Sequence, residues 1–166
     1  MKELLKRLCL IPFLLVGCTS NQKEYVLNES TFFLVMTNIQ YYPEEYLNKD
    51  ITFDCFTYEL ESVSGDKYLC AVRKCSAGFG CKCGKDTIIG FIVDKDIGLP
   101  EPKNQYENTN DKAWIHVTGQ LESTEKTEFS IYGADDISEQ VQFLSFKIKD
   151  FSIIEDYSNL HYYVEK

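Results

Sequence analysis

The sequence predicts a mainly β domain, a small five-stranded barrel with a short N-terminal helix, and three observations predict it. From residue 51 onward, short runs rich in Val, Ile, Phe and Tyr are separated by turn residues. No helical pattern alternates with these runs, which argues against a parallel sheet built on crossover helices. The chain carries 11 Tyr and 11 Phe, a composition that favours strands over disorder.

Taken in order, the elements begin with Phe32, Val35, Met36 and Ile39, which recur at helical spacing behind Ser30. Ser30 is the residue type that caps a helix. The segment from Thr31 to Ile39 also reads as a strand, and Pro43 opens a single turn through Leu47. The first strand runs from Ile51 to Leu60. Ile51, Phe53 and Cys55 alternate on one face, then Phe56, Tyr58 and Leu60 continue out of phase. A bulge would produce such a slip and bend the strand around a barrel corner. The turn Ser64-Gly65-Asp66 leads to a second strand, Lys67 to Arg73, and Thr87 to Val93 forms a third. Residues 94–111, with Pro100 and Pro102, read as a long loop with little to bury. Ala113 to Leu121 is the fourth strand, with Gly119 where the chain needs to bend. After the polar stretch Glu122 to Gln140, Phe143 to Ile154 makes the last strand. Five strands and a bulged first strand fit an OB-like Greek-key barrel over residues 30–155. Residues 156–166 read as a C-terminal tail.

The first residues tell a separate story. Lys2, Lys6 and Arg7 stand against Glu3, and an apolar run from Leu8 to Val16 follows, broken by Pro12. A basic segment followed by a short apolar one is the layout of a secretory signal. Spanning a bilayer takes about 20 apolar residues, more than this run supplies. It ends at Leu15-Val16-Gly17-Cys18, which resembles the lipobox of bacterial lipoproteins. The expectation is therefore a signal peptide over residues 1–17 and a lipidated Cys18. Its thiol takes diacylglycerol, and its freed amine takes a further acyl chain such as palmitate. Two or more chains anchor stably where one does not. Residues 18–29 then form a polar linker, and the domain stands on the extracytoplasmic side of a cell membrane. Thr19, and no aspartate, follows Cys18, which leaves inner and outer membrane both open. Loss of the three cations and one anion of residues 1–17 takes the formal charge from −9 to −11. Nucleic acid, whose phosphates need clustered Lys and Arg, is excluded as a partner on that charge.

Several segments resemble an uncharacterised bacterial family, the extracytoplasmic OB-like domain of a membrane protein paired with a putative permease. Tyr42-Pro43-Glu44-Glu45-Tyr46-Leu47-Asn48-Lys49 is similar to the family's Asn-Pro-x-x-Tyr-x-Gly-Lys, and Ile51 to Tyr58 to its Ile-x-x-x-Gly-Phe-Val-Tyr strand. Cys81-Lys82-Cys83 followed by Gly90-Phe91 is similar to its paired cysteines ahead of a Gly-Phe strand. Trp114-Ile115-His116-Val117-Thr118-Gly119 is the best match, to Trp-Val-x-Val-x-Gly. The departures are Cys55 in place of a glycine, a lysine between the paired cysteines, and Cys70 and Cys75 without counterparts. The family's transmembrane helices are replaced here by the lipid. The resemblance implies an OB-like fold, an envelope location and a membrane permease as partner, and it implies no activity.

One constellation could carry chemistry: Cys70, Cys75, Cys81 and Cys83, interleaved with glycines and flanked by Arg73, Lys74, Lys82 and Lys85. Three readings stand side by side. Four thiolates gathered by a flexible loop can hold a metal, with zinc the natural candidate. Cysteines outside the cytoplasm commonly pair as disulfides, and four allow three connectivities. Neighbouring cations can lower a thiol pKa for redox exchange. His116 reads as a strand residue beside Trp114 and Thr118, His161 as part of the tail, and Trp114 as a packing residue. The pair Asp135-Asp136 reads as a solvated loop. No nucleophilic triad order, phosphate loop or nucleotide fingerprint is present. The expected function is a non-enzymatic, lipid-anchored domain, binding a metal ion through the cysteine loop. The alternative is an envelope protein- or glycan-binding module with structural disulfides.

Overall fold

The computed structural model describes residues 24–62, 64–75, 87–132 and 138–164. Five strands close into a barrel: β2 (Asp50–Glu61), β3 (Lys67–Cys75), β4 (Thr87–Val93), β5 (Trp114–Tyr132) and β6 (Ser138–Ile153). Antiparallel pairing joins β2 to β3, β3 to β4 and β5 to β6, while β4 meets β6 in parallel through Phe91 and Leu144. Closure comes from β2, whose first half bonds β5 and whose second half bonds β3, Phe56 being shared. This is the OB-like order expected.

That sharing explains the phase change at Cys55, and no bulge is involved. Register along β2 is regular against both partners. Ile51, Phe53 and Cys55 point into the barrel, and Phe56, Tyr58 and Leu60 point the other way into a second apolar cluster. A strand buried first on one face and then on the other gives the same sequence pattern as a slipped strand. The irregularities fall instead in the β5–β6 pairing, one of them opposite Thr118 and Gly119, where Lys149 is the extra residue on β6. A Cβ on Gly119 would lie 2.3 Å from the Lys147 carbonyl oxygen and 2.6 Å from the Phe146 ring. Only glycine fits there, and the reason is this close approach of β6.

The helix α1 (Glu29–Tyr41) plugs one end of the barrel. Its cap is Asn28, two residues earlier than Ser30. The Asn28 side chain accepts from the Thr31 N–H at 3.1 Å, and the Thr31 hydroxyl accepts from the Asn28 N–H at 3.1 Å, a reciprocal capping box. Pro43 disfavours helical backbone at Tyr42, which ends the helix. Phe32, Met36 and Ile39 are buried in the barrel core. Burial of each contributes about 1.5–3 kcal/mol as an upper estimate.

Two segments expected to be irregular are strands. Glu24–Leu27, placed by the sequence in the linker, forms β1, parallel to β2 from Asp50 to Phe53. Because β3 leaves β2 at Phe56, the outer edge of β2 would otherwise carry unpaired backbone groups there. The polar stretch Glu122–Gln140 is largely hairpin: β5 runs on to Tyr132, and β6 begins at Ser138. Phe129 and Phe143 on one face of this arm are buried in the second cluster, and Lys126, Glu128, Gln140 and Gln142 alternate with them. Beyond β6, Tyr157, Leu160 and Tyr162 pack on that cluster, and β7 (Tyr163–Val164) runs parallel to the end of β3. Strand pairing thus extends past residues 30–155 at both ends. No described helix is long and apolar enough to cross a membrane.

Candidate functional site

Of the four clustered cysteines, Cys70 and Cys75 are among the described residues, and these two do not share a face. Cys70 and Cys75 lie on β3, five residues apart, and an odd separation in a strand sends side chains to opposite faces. Cys75 belongs to the barrel core and Cys70 to the second cluster. Five residues of strand span roughly 16 Å, whereas bridged cysteines keep their Cα atoms within about 7 Å. A Cys70–Cys75 disulfide is therefore excluded by register, and Cys55 and Cys70 are free thiols. Cys81, Cys83 and Cys18, where lipidation is expected, lie outside the described residues, as do Asp135 and Asp136. Among the described residues, no three His, Cys, Asp or Glu side chains converge to hold a metal.

Burial also sets the chemistry of these thiols. It pushes Cys70 upward against a weaker opposing pull from Lys95, and it raises Cys55 well above the ordinary range despite Arg73 nearby. Both stay protonated at neutral pH, the reverse of what redox exchange needs. Arg73, expected to activate the cysteine cluster, is occupied elsewhere. It is 1 % exposed and binds Glu29 at 2.7 Å, the carbonyls of His161 and Asp54, and the rings of Phe32 and Trp114. This network ties the start of α1, the barrel and the C-terminal segment together.

His116 stands on the outer face of β5 across from Asp54, with Nδ1 and Oδ1 2.6 Å apart, beside the Thr52–Thr118 hydroxyl pair at 2.8 Å. This is a cross-strand polar ladder on a half-exposed face. Trp114 is a packing residue, its indole donating to the Asn110 carbonyl at 2.8 Å. His161 contributes its backbone, its N–H donating to Glu29.

The face that OB barrels use for ligands, the outside of their second and third strands, corresponds here to β3 and β4. It is covered by the protein's own groups. Tyr68, Cys70, Val72, Ile88 and Ile92 sit in the second cluster under Phe129, Phe143 and the C-terminal tyrosines. Concavity lies elsewhere. A recess of about 310 Å³ opens between the C-terminal end of α1 (Gln40, Tyr41), the start of β4 (Thr87, Ile88, Ile89) and the hairpin arm (Lys126, Glu128, Gln140, Val141, Gln142). Gln40 is buried, and its amide donates to the Gly90 carbonyl at 3.3 Å. Gln142 donates to Glu128 at 2.6 Å. Thr87 is 4 % exposed, and its hydroxyl has no hydrogen-bond partner among the described residues. Burying an unsatisfied hydroxyl costs about 1–3 kcal/mol, so this one calls for a reason.

No sequence signal marks this recess. A threonine at a strand start and glutamines on two separate elements have no spacing to recognise. Only the polar alternation on the arm hints that it has two faces.

The family described as the DUF1980 C-terminal domain matches residues 15–134. No curated protein and no solved structure matches the chain.

Proposed function

The chain belongs to the DUF1980 C-terminal domain family, and from that premise we propose that it is a non-enzymatic binding module of the cell envelope. Lipid on Cys18 tethers it to the extracytoplasmic face of a membrane, and the recess beside Thr87 takes its ligand. The observation that carries this reading is the buried Thr87 hydroxyl, without a partner among the described residues, at the wall of a recess lined by both polar and apolar groups. Rotation about the Thr87 χ1 bond turns that hydroxyl toward an occupant, whose hydrogen bond offsets the cost of burial. Asp54 and His116 pair across an exposed strand face outside the recess. The resemblance of the sequence adds a membrane permease as the partner to which the module presents its ligand.

The division of Cys70 and Cys75 between two apolar clusters favours this reading over a four-thiolate zinc centre. A metal held by the loop would have to dispense with Cys70.

Amide chemical shifts of the full-length chain in detergent, titrated with a low-molecular-mass envelope extract, test the module. Changes concentrated at Thr87, Ile88 and Gln142 support it; changes confined to other faces, or none, overturn it. Palmitate labelling that persists in Cys18→Ala removes the tether.

A further inference from the structure

Resting on that reading, we propose that the recess accepts a neutral, hydroxyl-rich ring, a single sugar unit of an envelope glycan. Charge argues first. Lys126 and Glu128 cancel within the lining, and the remaining polar walls are the amides of Gln40, Gln140 and Gln142 and the hydroxyls of Tyr41 and Thr87. An anion would meet Glu128 on a chain whose formal charge is already −9. A cation would meet Lys126. Amides and hydroxyls both donate and accept, which matches the dual character of sugar hydroxyls.

The apolar part of the lining argues next. Ile88, Ile89 and Val141 supply an aliphatic surface, and Tyr41 at the lip is 60 % exposed, its ring centroid 6.4 Å from that of Tyr42. A pyranose presents a C–H face to such a surface while its hydroxyls reach the polar rim. Size sets the last limit. About 310 Å³ is at the small end of ligand pockets, which run from about 300 to 1,000 Å³. It suits one ring with the chain of a glycan continuing into solvent past Tyr41. The usual OB ligand face cannot do this, because the protein's own aromatic residues fill it.

The test uses the full chain in a sugar-free detergent, titrated with N-acetylglucosamine and with glucose and followed by amide shifts. The expected result is saturable shifts at Thr87, Ile88 and Gln142. Thr87→Val should weaken binding about fivefold, the loss of one neutral hydrogen bond. Thr57→Val is the control: Thr57 also carries a buried hydroxyl without a partner among the described residues but does not line the recess, so its binding curve should match wild type. Recess shifts from glucuronate or a dipeptide, with none from the neutral sugars, overturn the sugar assignment and leave the recess as a ligand site. An absence of recess shifts with every probe and with the envelope extract overturns both. Equal affinity in Thr87→Val and wild type also overturns the assignment as stated.

Discussion

Arg73, buried in mid-strand on β3, binds Glu29 in the first turn of α1 at 2.7 Å, joining residues 44 positions apart in sequence. The guanidinium is 2 % exposed at its side chain and the carboxylate 41 %, so the two partners respond differently to removal. Arg73→Met loses the ion pair and the ties to His161 and Asp54 together. We expect it to cost about 3 kcal/mol, read as a lowered urea midpoint. Glu29→Gln keeps the Arg73 contacts to backbone carbonyls and should cost about 1–2 kcal/mol.

The same pair gives a pH dependence. Burial opposes ionisation of Glu29, but the His161 N–H and Arg73 outweigh it and hold the carboxyl below its ordinary value of 4.5. A depressed folded pKa contributes stability that is complete above the unfolded value and lost as pH falls through the folded one. Unfolding free energy measured from pH 7 to pH 3 should therefore fall less steeply below pH 4.5 in Glu29→Gln than in wild type. Parallel curves for the two proteins would show that the ion pair contributes nothing.

Cys55 and Cys70 should resist a thiol reagent at neutral pH in the folded chain and react once urea unfolds it, because burial keeps both thiols protonated. Cys70→Ala should also leave any bound metal unchanged on elemental analysis. Loss of metal in that variant would place Cys70 in a centre despite its position on the far face of β3.

Backbone packing forbids a side chain at two glycines. A Cβ at Gly90 would lie 2.1 Å from the Ala71 carbonyl oxygen, and one at Gly119 would lie 2.3 Å from that of Lys147. Either change to alanine should cost about 3 kcal/mol or more, since a strand must move to admit it. Gly65→Ala, with open space around it and strain only from φ +88°, should cost about 1 kcal/mol. Thermal unfolding of the three variants checks the order.

Thr87→Val and Thr57→Val each remove a buried hydroxyl that has no partner among the described residues. Both should stabilise the protein by about 1 kcal/mol, visible as a raised melting temperature. A stabilising change at Thr87 that also weakens ligand binding would show stability exchanged for function at that one position.

What the sequence by itself determined is the class of fold and the local devices that build it. Alternating Val, Ile and Phe fix the strands and Pro43 ends the helix, because each of these acts through its own backbone or its nearest neighbours. The tertiary structure decided what faces what. Period-two alternation says that Cys55 and Phe56 point to opposite sides; it does not say that both sides are covered, so a buried strand reads as a slipped one. Glu24–Leu27 becomes a strand only because β2 offers an open edge, and the arm at Glu122–Gln140 only because Phe129 and Phe143 find an apolar surface to lie on. Closeness in sequence suggested that Cys70 and Cys75 act together, and strand geometry separates them. The recess brings together Gln40, Thr87 and Gln142 from three elements, a proximity that barrel closure creates and no spacing along the chain encodes.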